Sequence, residues 1–312
     1  MSNILIIKHG SLGDIVQISG VLRDIREFHK SCKIFILTTT PYVDLLSRCP
    51  HIDGVLIDTR ASRLNILYHL KLKKIIERYN FAFTYDLQNS SRTSFYRKYL
   101  FKLKNWSSAE TTLKDNTKKS DFDKAPVLER FKSQLERSKI EAKYTMYPDF
   151  SWAVTSVEEI LNKYFNKKFI LILPFSSTQL SHKKWPHFNE LIKLIKATFN
   201  NFEIIVAPGP NEVDQAKKID AISILSNNQP LNIMELAGLI KKSSFIVSND
   251  TGPAHIAAHL GKNGVALFGS HTTPQKVSIE TNNFKSITAK NLNDLTAADV
   301  FAKIKDKLIL IN

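Results

Sequence analysis

Short apolar runs recur along this chain, each followed by a polar turn carrying glycine or hydroxyl groups and then by a helix-periodic segment, and this rhythm most restricts how it can fold. Ile4 to Ile7, Phe81 to Tyr85, Phe169 to Leu173, Phe202 to Val206, Phe245 to Val247 and Gly264 to Phe268 read as strands buried on both faces. Lys33 to Leu37, Val55 to Ile57 and Ile222 to Leu225 are shorter or more mixed versions. Between them Ile15, Ile18, Val21, Leu22, Ile25 and Phe28 recur at helical spacing, as do Leu191, Ile192, Leu194 and Ile195 and apolar positions in 42–47, 64–78 and 231–241. Strands alternating with helices imply right-handed crossovers and parallel sheets covered on both faces, an α/β fold. Ligands of such sheets bind beyond the carboxyl ends of the strands, so the turns after the strands are where chemistry is expected.

The most informative turn is Ser248-Asn249-Asp250-Thr251-Gly252-Pro253-Ala254-His255-Ile256-Ala257-Ala258. Asp250 or Thr251 is placed to cap the helix, Gly252 allows a tight turn, and Pro253 suits the first helical position. Two readings stay open: an ordinary well-capped helix, or a helix N-terminus presenting its N–H groups and dipole to an anion such as a diphosphate, with His255 one turn in as a further donor.

At 312 residues the chain suffices for two domains. A boundary near residue 150 divides it into 1–150 and 151–312, with a linker over about 144–168 where Pro148 precedes a helix opened by Ser156, Glu158 and Glu159. Two such halves lead us to expect a ligand cleft between them. No apolar run approaches the roughly 20 residues needed to span a bilayer, and Met1 to Lys8 reads as a first strand rather than a signal peptide. Cys32 and Cys49 form no disulfide or metal pattern, and a reducing cytoplasmic setting is expected.

The formal charge of +15 attracts nucleic acid, an anionic membrane or a phosphorylated substrate. Residues 1–150 hold 26 Lys and Arg against 16 Asp and Glu, residues 151–312 hold 18 against 13, and the first half is therefore the expected docking face. From Arg92 to Lys119 basic residues alternate with Phe95, Tyr96, Tyr99, Phe101 and Trp106, which suits a membrane interface or, more plainly, a solvated helix and loop. Asp121-Phe122-Asp123 has the spacing of a carboxylate metal site but lies among lysines with no strand before it, and is discounted. The loop Pro174 to Pro186 after the second half's first strand is rich in hydroxyls and cations that suit phosphate oxygens. His182, His187, His259 and His271 read as surface or loop histidines, Trp185 as a packing anchor, and Lys184 as a solvated neighbour of Lys183.

Ile7-Lys8-x-x-x-Leu12-Gly13-Asp14, Asp86-Leu87-Gln88, Lys183-x-Trp185-Pro186, Asn249-Asp250-Thr251-Gly252-Pro253-x-His255-x-Ala257-Ala258 and Leu267-Phe268-Gly269, in that order, resemble glycosyltransferase family 9, the family of the ADP-heptose:lipopolysaccharide heptosyltransferases. The resemblance implies a GT-B fold: two Rossmann-like domains, the first for the acceptor and the second for the nucleotide-sugar donor. It also implies inverting transfer without metal or cofactor. Asp14 matches the general base, while Thr178, Lys183, Glu212, Asp250, Thr251, Gly252 and His255 match donor contacts. Lys8 and Arg92 fall where an anionic acceptor is expected. Pro174-Phe175-Ser176-Ser177 departs from the family's more usual Pro-Gly-Ala type of loop. The implied partners are an ADP-sugar, most simply ADP-heptose, an anionic lipid-linked glycan of the lipopolysaccharide inner core, and the inner leaflet of the membrane, approached peripherally from the cytoplasm.

Four other readings compete with a heptosyl donor: the same fold with another nucleotide sugar, a basic nucleic-acid-binding protein, a nicotinamide-dependent oxidoreductase, and a non-catalytic sugar-nucleotide-binding relic. No helix-turn-helix, zinc-finger or RNA-recognition pattern supports nucleic-acid binding, and no nucleic-acid partner is expected. Gly10-x-x-Gly13-Asp14 is not the Gly-x-Gly-x-x-Gly turn of a dinucleotide fold. A non-catalytic sugar-nucleotide-binding relic would not need the retained Asp14 and Lys183.

Overall fold

A computed structural model describes residues 2–113, 117–176 and 182–312. The chain divides into two compact units, Met1–Trp152 and Ala153–Asn312.

The first unit runs β1 (Asn3–Ile7), α1 (Leu12–Gln17), α2 (Ser19–Phe28), β2 (Lys33–Thr38), α3 (Val43–Leu46), β3 (Gly54–Ile57), α4 (Ile66–Glu77), β4 (Phe81–Asp86), α5 (Ser91–Phe95), β5 (Trp106–Ser107), α6 (Lys119–Phe122) and α7 (Val127–Arg137). Its sheet is parallel throughout, in the order β3-β2-β1-β4-β5, with Ile4 opposite Ile34 on one side and Phe83 on the other. The strand order reverses between β1 and β4, and a crevice opens at the carboxyl ends of such neighbours. Leu5, Ile7, Leu37, Leu72, Ile76 and Tyr96 form part of the core beneath that edge.

The second unit contains α8 (Glu158–Leu161), β6 (Lys168–Leu173), α9 (Phe188–Thr198), β7 (Phe202–Val206), α10 (Val213–Ala216), β8 (Ile222–Ser223), α11 (Ile233–Lys242), β9 (Phe245–Asn249), α12 (Gly252–His259), β10 (Gly264–Phe268), β11 (Phe284–Thr288) and α13 (Ala297–Ile311). Its parallel sheet is ordered β11-β10-β9-β6-β7-β8, so the reversal falls between β6 and β9. Trp185 is buried in this core with Ile170, Ile172, Leu191 and Val247, and its Nε1 donates to Leu295 O at 2.7 Å, the packing role expected of it.

The alternation of strands and helices follows the sequence closely, with instructive differences. The helix expected from Ile15 begins earlier, at Leu12, because Ser11 and Asp14 form a capping box, and it breaks at Ile18 into α1 and α2. Asn65 starts α4 by accepting from Tyr68 N at 3.0 Å. Strands β5 and β11 escape the sequence reading: β5 has two residues, and in β11 Lys285 breaks the apolar run. In the linker region, Tyr144 and Thr145 are tied to α2, where buried Asp24 accepts from both backbone N–H groups and the Thr145 hydroxyl at 2.7–3.1 Å. Asp121 and Asp123 pair with Lys124, Lys119 and Arg130. Of the aromatic residues between 92 and 106, Tyr96 and Phe101 are buried and Phe95 and Trp106 pack against the core, leaving Tyr99 exposed.

Candidate functional site

Each unit carries a charged cluster at the reversal point of its sheet. In the first, Lys8 follows β1 and its Nζ lies 3.3 Å from Asp14 Oδ1 while donating to Leu87 O, just past β4, at 3.3 Å. Asp14 is the third residue of α1, and its Oδ2 accepts from Ser11 N at 2.8 Å and Ser11 Oγ at 3.0 Å. Burial pushes the Asp14 carboxyl up, but the Lys8 ammonium and the Ser11 hydrogen bonds prevail and hold it below the usual carboxylate range. Gly10 makes this turn possible: its φ is +115°, and a Cβ there would stand 2.3 Å from the Tyr42 ring.

A second layer supports the turn. His9 Nε2 lies 2.9 Å from Asp58 Oδ2, both side chains buried, and His9 N donates to Gln88 Oε1 at 2.9 Å. Asp58 also accepts from the Tyr68 and Tyr96 hydroxyls and from Arg60 N. Against the cost of burial, those donors hold its carboxyl far below its ordinary value. Asp86, buried at the end of β4, accepts from Gln88 N and Asn89 N at 3.0 and 2.9 Å, yet desolvation prevails and raises it to about 6. Arg92 is committed elsewhere, donating to Arg60 O, Ala61 O and the Tyr96 hydroxyl, so it braces the loop after β3 and is not brought to Asp14.

In the second unit, Lys183 Nζ lies 2.6 Å from Asp250 Oδ2, and His271 Nε2 lies 2.9 Å from the same oxygen. A carboxylate has only lone pairs to offer, so His271 donates through Nε2. Burial raises Asp250, but Lys183 and His271 outweigh it and hold the carboxyl low. Asn249 fastens the framework: its Oδ1 accepts from Trp185 N at 3.1 Å and its Nδ2 donates to Pro174 O at 2.7 Å. Thr251 is the N-cap residue of α12, but its side chain makes no capping bond to the helix; Gly252 follows, and Pro253 takes the second helical position rather than the expected first. Among the described residues no N-cap side chain bonds to the N-terminus of α12, and Lys183 is paired with Asp250 two residues before it.

Of the other expected donor residues, His255 is buried one turn into α12, close enough to lower Asp250, and its ring stacks on His259 at 6.2 Å. Glu212 sits in the loop after β7, its Oε2 accepting from Gly209 N at 2.7 Å, with burial raising its carboxyl and Lys184 opposing. Lys184 is not merely solvated, since it donates to Gln215 Oε1 at 2.9 Å. Thr178 lies outside the described residues.

Two histidines correct the sequence reading. His271 belongs to the charged cluster, and its position in the loop after buried β10, the neighbour of β9, was the available signal. His259 is buried on α12, where loss of hydration and nearby His255 lower it to about 3. The His9–Asp58 pair carried no local signal, because Asp58 follows a different strand.

The two lysine–aspartate pairs are built in opposite senses. In the first the acid is the open partner, with Asp14 38% and Lys8 5% exposed at the side chain. In the second the lysine is, with Lys183 19% and Asp250 5% exposed. An open carboxylate held ionised is equipped to take a proton, and an open ammonium beside a helix N-terminus is equipped to meet phosphate.

The family model for glycosyltransferase family 9 (heptosyltransferase) matches residues 69–304. Among curated proteins, the chain is 24% identical over 318 aligned positions to lipopolysaccharide heptosyltransferase 1 of Campylobacter coli, covering 95% of this chain and 92% of that one. It is 23% identical to the lipopolysaccharide core heptosyltransferase OpsX of Haemophilus influenzae, over 86% of this chain and 79% of that one. Among solved structures, the E. coli heptosyltransferase WaaC with ADP-2-deoxy-2-fluoro heptose aligns with a TM-score of 0.73 at 17% identity, covering 98% of this chain and 99% of that one. The E. coli ADP-heptose lps heptosyltransferase II aligns with a TM-score of 0.75 at 17% identity, covering 99% of both chains. At such identities the solved structures establish the fold, the GT-B arrangement of two Rossmann-like units.

Proposed function

The chain belongs to glycosyltransferase family 9, and on that footing we propose that it moves a heptose or similar sugar from an ADP-sugar to a lipopolysaccharide inner-core or related phosphorylated glycolipid acceptor. The reading draws on the names of its relatives, lipopolysaccharide heptosyltransferases, and on solved relatives described with ADP and an ADP-heptose analogue.

The observation that carries it is the Lys183–Asp250–His271 cluster at the uncapped N-terminus of α12. There the donor diphosphate meets the Lys183 ammonium, the Thr251–Gly252 turn and the helix dipole, with Asp250 holding the lysine in place. Glu212 takes the ribose, and Thr178 and His255 add donors. In the other unit Asp14 accepts the proton of the acceptor hydroxyl as its oxygen attacks the anomeric carbon; that carbon inverts and its bond to the diphosphate breaks. ADP leaves with its charge met by Lys183 and the helix, so the step needs no divalent cation or other cofactor. The acceptor is membrane-bound, so the enzyme works peripherally at the cytoplasmic face of the inner membrane.

Thermal-shift measurements with ADP, UDP, GDP and CMP, with and without EDTA, test the donor half. Ligand binding to the native state raises the melting temperature by mass action. Selective stabilisation by ADP that survives EDTA is expected, followed by transfer from ADP-heptose to a detergent-dispersed core acceptor. Preference for another nucleotide would assign a different donor to the same fold, and no response to any nucleotide would overturn the reading.

A further inference from the structure

Four strongly exposed apolar side chains of the first unit gather at one place. Leu64 is 90%, Ile66 69%, Leu67 74% and Leu70 55% exposed, all at the start of α4. On the opposite face α4 buries His69, Leu72 and Ile76 against the sheet, so Leu67, Leu70, Lys71 and Lys74 face away from the core. Residues 60–78 carry Arg60, Arg63, Lys71, Lys73, Lys74 and Arg78 against one acid, Glu77. Because α4 follows β3, its apolar start lies at the carboxyl edge of the sheet, the edge that holds Lys8 and Asp14.

We propose that this face docks on an anionic bilayer, with Leu64, Ile66, Leu67 and Leu70 entering the interface and the surrounding cations meeting phosphate headgroups. The proposal rests on the reading of the acceptor as lipid-linked. Charge selects the occupant. A second copy joined by a two-fold axis would set this cationic collar against itself, whereas an anionic leaflet complements it and accepts the leucines. Docking here turns the edge that carries Asp14 toward the surface from which the acceptor projects.

The test uses the full chain in co-sedimentation with phosphatidylcholine vesicles, with and without phosphatidylglycerol. Wild type should bind the anionic vesicles, fade with salt and ignore the neutral ones. The double variant Leu67→Ser, Leu70→Ser should lose roughly tenfold or more in partitioning. The variant Lys71→Gln, Lys74→Gln should lose roughly ten- to thirtyfold. Both should keep the wild-type melting temperature, ADP response and transfer to a detergent-dispersed acceptor. No binding of wild type to anionic vesicles, or equal binding by the variants, would overturn the proposal. So would an oligomer that the serine variant dissociates while its vesicle binding stays intact. Vesicle binding needs no donor, so loss of ADP-heptose transfer with binding intact strikes the catalytic reading alone, and the reverse result strikes this surface alone.

Discussion

Two lysine–aspartate pairs of opposite exposure divide the proposed chemistry between them, and single substitutions should separate their roles. Asp14→Asn should lower transfer about 10²- to 10⁴-fold, the range of a lost general base, and leave ADP affinity unchanged by titration calorimetry. Lys183→Ala should raise the ADP dissociation constant about ten- to a hundredfold, because a charge-assisted contact is lost. Were Asp14→Asn to lose ADP binding to the same degree, the assignment of Asp14 to the acceptor would fall. Asp86 bears on stability. Folded, it holds its proton up to about pH 6, whereas the unfolded chain releases it near 3.9. Between those values the native state binds the extra proton, so Asp86 lowers stability as pH rises through that window. Asp86→Asn, which keeps an oxygen for Gln88 N and Asn89 N, should therefore be more stable than wild type by roughly 1–3 kcal/mol at pH 7 and show no advantage at pH 4. Denaturant titrations at the two pH values read this difference.

At the scale of elements, close backbone approach sets the tolerance to change. On α2, a Cβ at Gly20 would stand 2.1 Å from Tyr144 O, against the segment that Asp24 clamps. Gly20→Ala should cost about 1–3 kcal/mol by overpacking, visible as a lowered melting temperature, although a helix interior otherwise favours alanine. Nothing local in the sequence marks that glycine, because its neighbour lies more than a hundred positions away. The strands were legible because buried parallel strands are written as continuous apolar runs; β11, with Lys285 exposed inside it, was not. Asp14, Lys183 and Asp250 were legible as candidates because each belongs to a turn that follows an apolar run. His271 reads as an ordinary loop histidine in the sequence, since its partner Asp250 belongs to another strand's turn and only the neighbouring order of β9 and β10 joins them. Arg92 shows the opposite error: it stands in a promising loop, but the carbonyls of Arg60 and Ala61 occupy it.

At the scale of the whole molecule, the proposed donor contacts all fall within Ala153–Asn312 and the proposed base within Met1–Trp152. Hydrogen exchange of the full chain should therefore show ADP protecting peptides around Lys183, Gly209–Glu212, Asn249–His255 and His271, with the peptide from Lys8 to Ile18 unchanged. Protection confined to the first unit would reverse the assignment. The chain passes from one unit to the other once, at Trp152–Ala153, and each unit closes its own sheet from a contiguous stretch of sequence. Donor and acceptor preferences are in that case heritable separately: a single recombination at that junction exchanges one whole recognition module without cutting a sheet, so relatives can diversify what they modify while keeping the sugar they transfer.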